Sequence, residues 1–211
     1  MDRTKLKTFK IAVFTSGTSR GSNLRAMALY FETQKSPVRI DCVVHTFKSA
    51  PIVNVCNELH LNTVLIGSQD MVSFEEQASS LIQERRIDLI VLAGFMKHLS
   101  ESFVNNVDVP IVNIHPALLP KYGGTGMYGL NVHRAVFQNR EQVSGATVHI
   151  VDAHYDQGRI IAQQSVSVED CTSAEEIASR VLQIEHSLYA PSIATFLEDN
   201  YLSRVKVGVN E

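Results

Sequence analysis

Little in this sequence points to a membrane, a disulfide framework or a nucleic acid. Only three cysteines occur, Cys42, Cys56 and Cys171, an odd number spread far apart. That pattern argues against a disulfide scaffold and for free thiols in a reducing compartment, so a cytoplasmic location is expected. No flanking pattern marks any of the three as a nucleophile. The apolar runs fall short of the roughly 20 residues that span a bilayer. The basic start MDRTKLKTFK is followed by IAVF, too short an apolar run for a signal peptide. Net charge is −3, with 19 Lys and Arg against 22 Asp and Glu, which is not the balance of a nucleic-acid surface. Metal-ligand spacing is missing too. His115, His133, His149 and His154 lie in the second half, yet no HExxH or standard zinc pattern occurs, so no metal is expected.

What is present is ordinary globular composition, 45% hydrophobic, over 211 residues without repeat, low-complexity tract or linker. KIAVFTS (10–16), VRIDCVVH (38–45), TVLI (63–66), IDLIVLA (87–93) and IVNI (111–114) read as short strands, with 87–93 the most apolar and central. Helical spacing separates them at 22–34, where Leu24, Met27, Ala28 and Phe31 share a face. A second helix at 51–60 has Pro in its first turn. A third, at 73–86, opens on Ser73 with Glu76 three residues on, a capping-box signature. Strand–helix alternation of this kind predicts a doubly wound, mostly parallel α/β sheet of Rossmann type, with helices on both faces. Later, 146–152 and 160–168 alternate around a turn at Asp156-Gln157-Gly158 and predict two antiparallel strands. A long helix is expected from about Ser173 to Asp199, interrupted near Pro191, with Glu175 and Glu176 at its positive end. A single domain is expected.

Four segments carry candidate chemistry. SGTSRGSN (16–23) joins the first strand to the first helix, and its glycines and the helix N-terminus suit an anion, with Arg20 adding charge. The plain alternative is a tight strand–helix turn, and the loop matches neither the dinucleotide fingerprint nor a P-loop. Asn113 and His115 stand two apart in a strand and so face one way, and Pro116 holds His115 extended. A histidine there can move protons and an asparagine amide can donate to an oxyanion; equally, the histidine can simply bond to backbone. Asp156 lies in the late turn, either to tune and orient His115 or because aspartate tolerates a left-handed turn. In AGFMKHLS (93–100), Phe95, Met96 and Leu99 either line a pocket for a flat ring or pack a helix start.

Taken together, SGTSRGSNL, VLAGFMKHLS, NIHPALLPKYGG, GATVHIVDAHYDQGRIIAQ and IEHSLYAP stand in the order found in phosphoribosylglycinamide formyltransferases. The chain resembles that family over residues 10 to 197. The resemblance implies the formyltransferase fold and transfer of a formyl group from 10-formyltetrahydrofolate to the amine of glycinamide ribonucleotide, in purine biosynthesis. It implies Asn113, His115 and Asp156 as the catalytic trio, and Gly21, Ser22 and Asn23, with Arg20 nearby, at the substrate phosphate. Glu185 would meet the ribose hydroxyls. Met96, Lys97, His98 and Leu99, with Asn113 and Asp152, Ala153, His154, Tyr155 and Asp156, would form the folate pocket. The N-terminal half, about 10–112, would hold phosphate; the half from 113 to 211 would hold folate and do the chemistry. Partners are expected to be small molecules only, and the assembly a monomer or homodimer. Several places differ from the commonest family pattern. Thr18, Ser19 and Arg20 lengthen the first loop, and GGTGMYG (123–129) lengthens another. Lys97 replaces an arginine, and Leu182 a polar residue.

Other readings share parts of this pattern. A formyltransferase for another amine, such as a sugar amine, needs the same trio. A methionyl-tRNA formyltransferase is expected to need a further basic domain, and a formyltetrahydrofolate hydrolase an N-terminal one. A dehydrogenase or a plain nucleotide-binding module would use the first loop alone. The dehydrogenase should have an acid where His45 ends the second strand.

Overall fold

Residues 7–16, 20–48 and 51–208 are described by the computed structural model. The expected loop residues Gly17, Thr18 and Ser19 lie outside the described set. Strand β1 (Phe9–Thr15) is followed by α1 (Ser22–Thr33), β2 (Val38–His45), α2 (Ile52–Glu58) and β3 (Thr63–Leu65). Then come α3 (Met71–Arg85), β4 (Leu89–Leu92), α4 (Glu101–Asn106) and β5 (Ile111–His115). The chain closes with α5 (Leu130–Gln138), β6 (Val143–Ile150), β7 (Ile160–Ser167) and α6 (Ala174–Gly208). The sheet order is β3-β2-β1-β4-β5-β6-β7, so β4 is central as the sequence predicts. Pairings from β3 to β5 are parallel, while β5–β6 and β6–β7 are antiparallel.

Alternation along the strands splits the core in two. On β1, Ile11 and Val13 face one way and pack with Leu24 and Met27 of α1 and Ile177, Val181 and Ile193 of α6. Ala12 and Phe14 face the other way, against Phe74 and Ile82 of α3 and Phe103 of α4. Strands buried on both faces read as continuous apolar runs, which is why β1, β4 and the CVVH end of β2 were legible. The chain runs outward from β1 to β3, then returns to β4 on the other side of β1. The carboxyl ends of β1 and β4 therefore form the switch point where open α/β sheets bind ligands.

Two local expectations are corrected. Helix α3 begins at Met71, not at Ser73. Asp70 is its N-cap, in extended backbone, and its side chain accepts from Val72 N–H. Ser73 falls inside the first turn, where Gln77 donates to its hydroxyl. Nor does Pro191 interrupt the last helix, which runs unbroken through it. Proline inside a helix costs roughly 3 kcal/mol. Here Tyr189, Ala190, Ile193, Ala194, Phe196 and Leu197 are all buried around it, and that packing outweighs the lost hydrogen bond. At its start the acids act as expected: Ser173 Oγ accepts from Glu176 N–H, and the Glu176 carboxylate accepts from Thr172 N–H.

Tyr189 ties this helix to the sheet. Its buried hydroxyl lies 2.8 Å from the carbonyl of Leu92, the last residue of β4, and 3.2 Å from that of Val112, the second residue of β5. One hydroxyl proton is shared between two acceptors. Tyr189→Phe is expected to lower stability by about 1–3 kcal/mol, the cost of leaving buried acceptors without their donor. Urea melts would measure this, and an unchanged midpoint would contradict the tie.

Candidate active site

At the carboxyl edge of the sheet a cleft of about 490 Å³ opens beneath the loops that follow β4, β5 and β6. Asn113 and His115, at the end of β5, both line it, as their two-residue spacing predicts. The turn between β6 and β7 brings in Asp156, with φ 56°. Its left-handed backbone and its place beside His115 are both realised, so the two sequence readings of this aspartate are compatible. Asp156 Oδ2 stands 3.6 Å from His115 Nδ1, an ion-pair distance longer than a hydrogen bond. The same oxygen accepts from Gly124 N–H at 2.9 Å.

The orientation of His115 follows from its other nitrogen. Nε2 lies 2.7 Å from the Tyr122 carbonyl, which can only accept, so Nε2 carries a hydrogen. Nδ1 is then the nitrogen left facing Asp156. Asn113 is oriented by a residue the sequence did not single out for the site. In the β5–β6 ladder Asn113 pairs with His149. Asn113 Nδ2 is 3.2 Å from His149 Nε2, while His149 Nδ1 is 2.9 Å from the Ile150 carbonyl. The carbonyl fixes the hydrogen on Nδ1, so Nε2 accepts from the amide. Burial lowers the pKa of His149, outweighing the Ile150 carbonyl and Asp156, both of which raise it, and favours this neutral form. His133 of α5 is also buried, and burial with the nearby His115 pushes it down to about 4.

One end of the cleft is closed by Asn23 and Glu185. Asn23 Nδ2 donates to Glu185 Oε2 at 2.7 Å. Burial raises the Glu185 pKa against the pull of that bond. Among the described residues, the buried Asn23 Oδ1 has no hydrogen-bond partner. The turn into α1 depends on Gly21, whose φ is 69° and whose added Cβ would stand 2.6 Å from Ile52 Cδ1. No side chain caps the helix that starts at Ser22, and no acid occupies its first turn. Arg20 is exposed, and of the expected phosphate residues only Asn23 lines the cleft; Arg20, Gly21 and Ser22 do not.

Met96, Lys97, His98 and Leu99 line the opposite wall, with Phe95, Asp152, His154 and Tyr155; Ala153 does not. The rings of His98 and Tyr155 meet at 4.6 Å between centroids, joining the two loops of this wall. Thr125, Met127 and Tyr128, in the glycine-rich loop, line the cleft as well. A second cavity, between α5, the end of β7 and α6, holds none of these residues. Among the described residues, no cluster of three or more His, Cys, Asp or Glu is arranged to hold a metal.

A family model described as formyl transferase matches residues 9–193. The chain belongs to the formyl transferase family. Within it, the phosphoribosylglycinamide formyltransferase of Haemophilus influenzae is 30% identical over 90% of this chain and 87% of its own length. The chloroplastic enzyme of that name from Vigna unguiculata is 42% identical over 61% of this chain and 41% of its own length. The match thus spans less than half of that plant relative. Among solved structures of the family, phosphoribosylglycinamide formyltransferase from Anaplasma phagocytophilum superposes with a TM-score of 0.81. It is 34% identical, over 92% of this chain and 88% of that one.

Proposed function

We propose that this chain transfers the formyl group of 10-formyltetrahydrofolate to the amine of glycinamide ribonucleotide, a step of purine biosynthesis. One observation carries the reading: Asn113, His115 and Asp156 line a single cleft that runs to the Asn23–Glu185 pair and to the 96–99 wall. The folate occupies the wall of Met96 to Leu99 and the loop carrying Asp152, His154 and Tyr155. The ribonucleotide phosphate meets the uncapped start of α1, where backbone N–H groups and the helix dipole favour an anion. Glu185 accepts from the ribose hydroxyls. The N-terminal half, about 10–112, supplies the phosphate turn, and 113–211 supplies the catalytic trio. Free cysteines support a cytoplasmic setting.

The chemistry follows from the atoms. The substrate amine attacks the formyl carbon, a new C–N bond forms, and the carbonyl oxygen becomes negative. Asn113 keeps one amide N–H on His149 and offers the other to that oxygen. His115 holds one hydrogen on the Tyr122 carbonyl, so Nδ1 is the atom that takes the proton from the amine. It returns the proton to the folate nitrogen as the old C–N bond breaks. Asp156 faces Nδ1 and steadies the imidazolium in between.

The test is direct. Purified protein is mixed with 10-formyltetrahydrofolate analogue and glycinamide ribonucleotide, and deformylated folate is followed by absorbance. Turnover that requires both substrates supports the proposal. Folate release without the ribonucleotide would make the chain a hydrolase, and folate binding without turnover would assign it another amine. In the same assay Asn23→Ala is expected to raise the ribonucleotide KM roughly ten- to a hundredfold, since a bond to a carboxylate is lost, with a smaller change in kcat. An unchanged KM would move the ribonucleotide elsewhere.

A further inference from the structure

We propose that Ser16 is a positioning residue for the folate wall, acting through the backbone of Met96. Ser16 follows β1 at the switch point and is 5% exposed. On its β4 side, Ala93 N–H donates to the Phe14 carbonyl and Ser16 N–H donates to the Gly94 carbonyl, extending the β1–β4 pairing past the end of both strands. At Gly94 the backbone then turns left-handed, φ 69°, and the regular ladder cannot continue. The Ser16 hydroxyl takes over as the next acceptor, receiving Met96 N–H at 2.6 Å. Its own carbonyl is engaged on the β2 side, where Thr46 Oγ1 donates to it at 3.2 Å.

One buried residue thus fastens the loops after β1, β2 and β4 to one another. The first leads into the phosphate turn at Gly21. The third carries Met96, Lys97, His98 and Leu99 along the cleft. Because Ser16 does not itself line the cleft, it sets where the folate wall stands without touching the reacting atoms. The ligand names rest on the formyl-transfer reading; the hydrogen bonds do not.

Ser16→Ala deletes the acceptor of Met96 N–H and keeps both backbone bonds. It is expected to raise the KM for 10-formyltetrahydrofolate about tenfold, the size of one buried hydrogen bond. Calorimetric affinity for a non-reactive folate analogue should fall by the same factor. The ribonucleotide KM and kcat should stay within about twofold, and Ser16→Thr, which keeps the hydroxyl, should restore folate affinity. Unchanged folate affinity in a folded Ser16→Ala protein overturns the proposal, as does an equal rise in both KM values or failure of Ser16→Thr to rescue. If the wild type binds the analogue but does not turn over glycinamide ribonucleotide, that acceptor is wrong, and the calorimetric comparison still decides Ser16.

Discussion

His115→Ala is expected to lower kcat about a thousandfold, within the range general acid–base catalysis supplies. The affinity for a folate analogue should change only a few-fold, because most of the folate wall, Met96 to Leu99 with Asp152, His154 and Tyr155, is separate from the imidazole's partners Tyr122 and Asp156. The geometry behind this is specific. His115 is buried, held by Tyr122 through Nε2, and turned with Nδ1 toward Asp156. A ring fixed at one nitrogen and facing a carboxylate at the other is built to take a proton and release it again. Steady-state rates and analogue titrations on the same preparation separate the two effects. Turnover near wild type would remove the proton-transfer role; a large loss of analogue affinity with normal kcat would recast His115 as a binding residue.

Asn113→Ala is expected to lower kcat by about a hundred- to a thousandfold, the cost of losing one donor aimed at a developing oxyanion. Two groups prepare that donor. His149 accepts one amide hydrogen at a nitrogen whose tautomer the Ile150 carbonyl fixes, so the amide cannot flip without losing its partner. Burial keeps His149 neutral and able to accept. The effect should appear in kcat, since the charge forms only during reaction. A variant that raised both KM values and left kcat intact would contradict the assignment.

The sequence showed β1 and β4 because burial on both faces leaves a nearly unbroken apolar run, and it placed β2 at its observed ends although Arg39 and Asp41 interrupt its first half. It showed Asn113 and His115 facing one way because strand alternation is local. It did not show α4 or α5. Helix α4 is six residues long and buries Phe103 alone, too short to display a period. Helix α5 starts directly after glycine-rich 123–129 without a side-chain cap, so no start signal precedes it. The part played by His149 was hidden for another reason. Strand alternation puts His149 on the face of Thr147, which is local, but its partner is set by the register of β6 on β5, a pairing across 36 positions. The Tyr122 contact to His115 is a backbone carbonyl, which no residue pattern advertises. At Pro191 and Ser73 the local preference was read correctly and then outweighed, by packing in one case and by a better-placed Asp70 in the other.

The Asn23–Glu185 bond joins residues 162 positions apart. Tyr189, one turn beyond Glu185, reaches back 97 positions to β4 and 77 to β5. During synthesis, the trio of Asn113, His115 and Asp156 is therefore made well before the end of the cleft that closes beside it. That end exists only after the last helix has docked and the costliest loop has closed. A nascent chain that stops short of residue 185 holds the reactive side chains but lacks one wall of the cleft. The step that completes the apolar core on the α1–α6 face is the same step that completes the cleft.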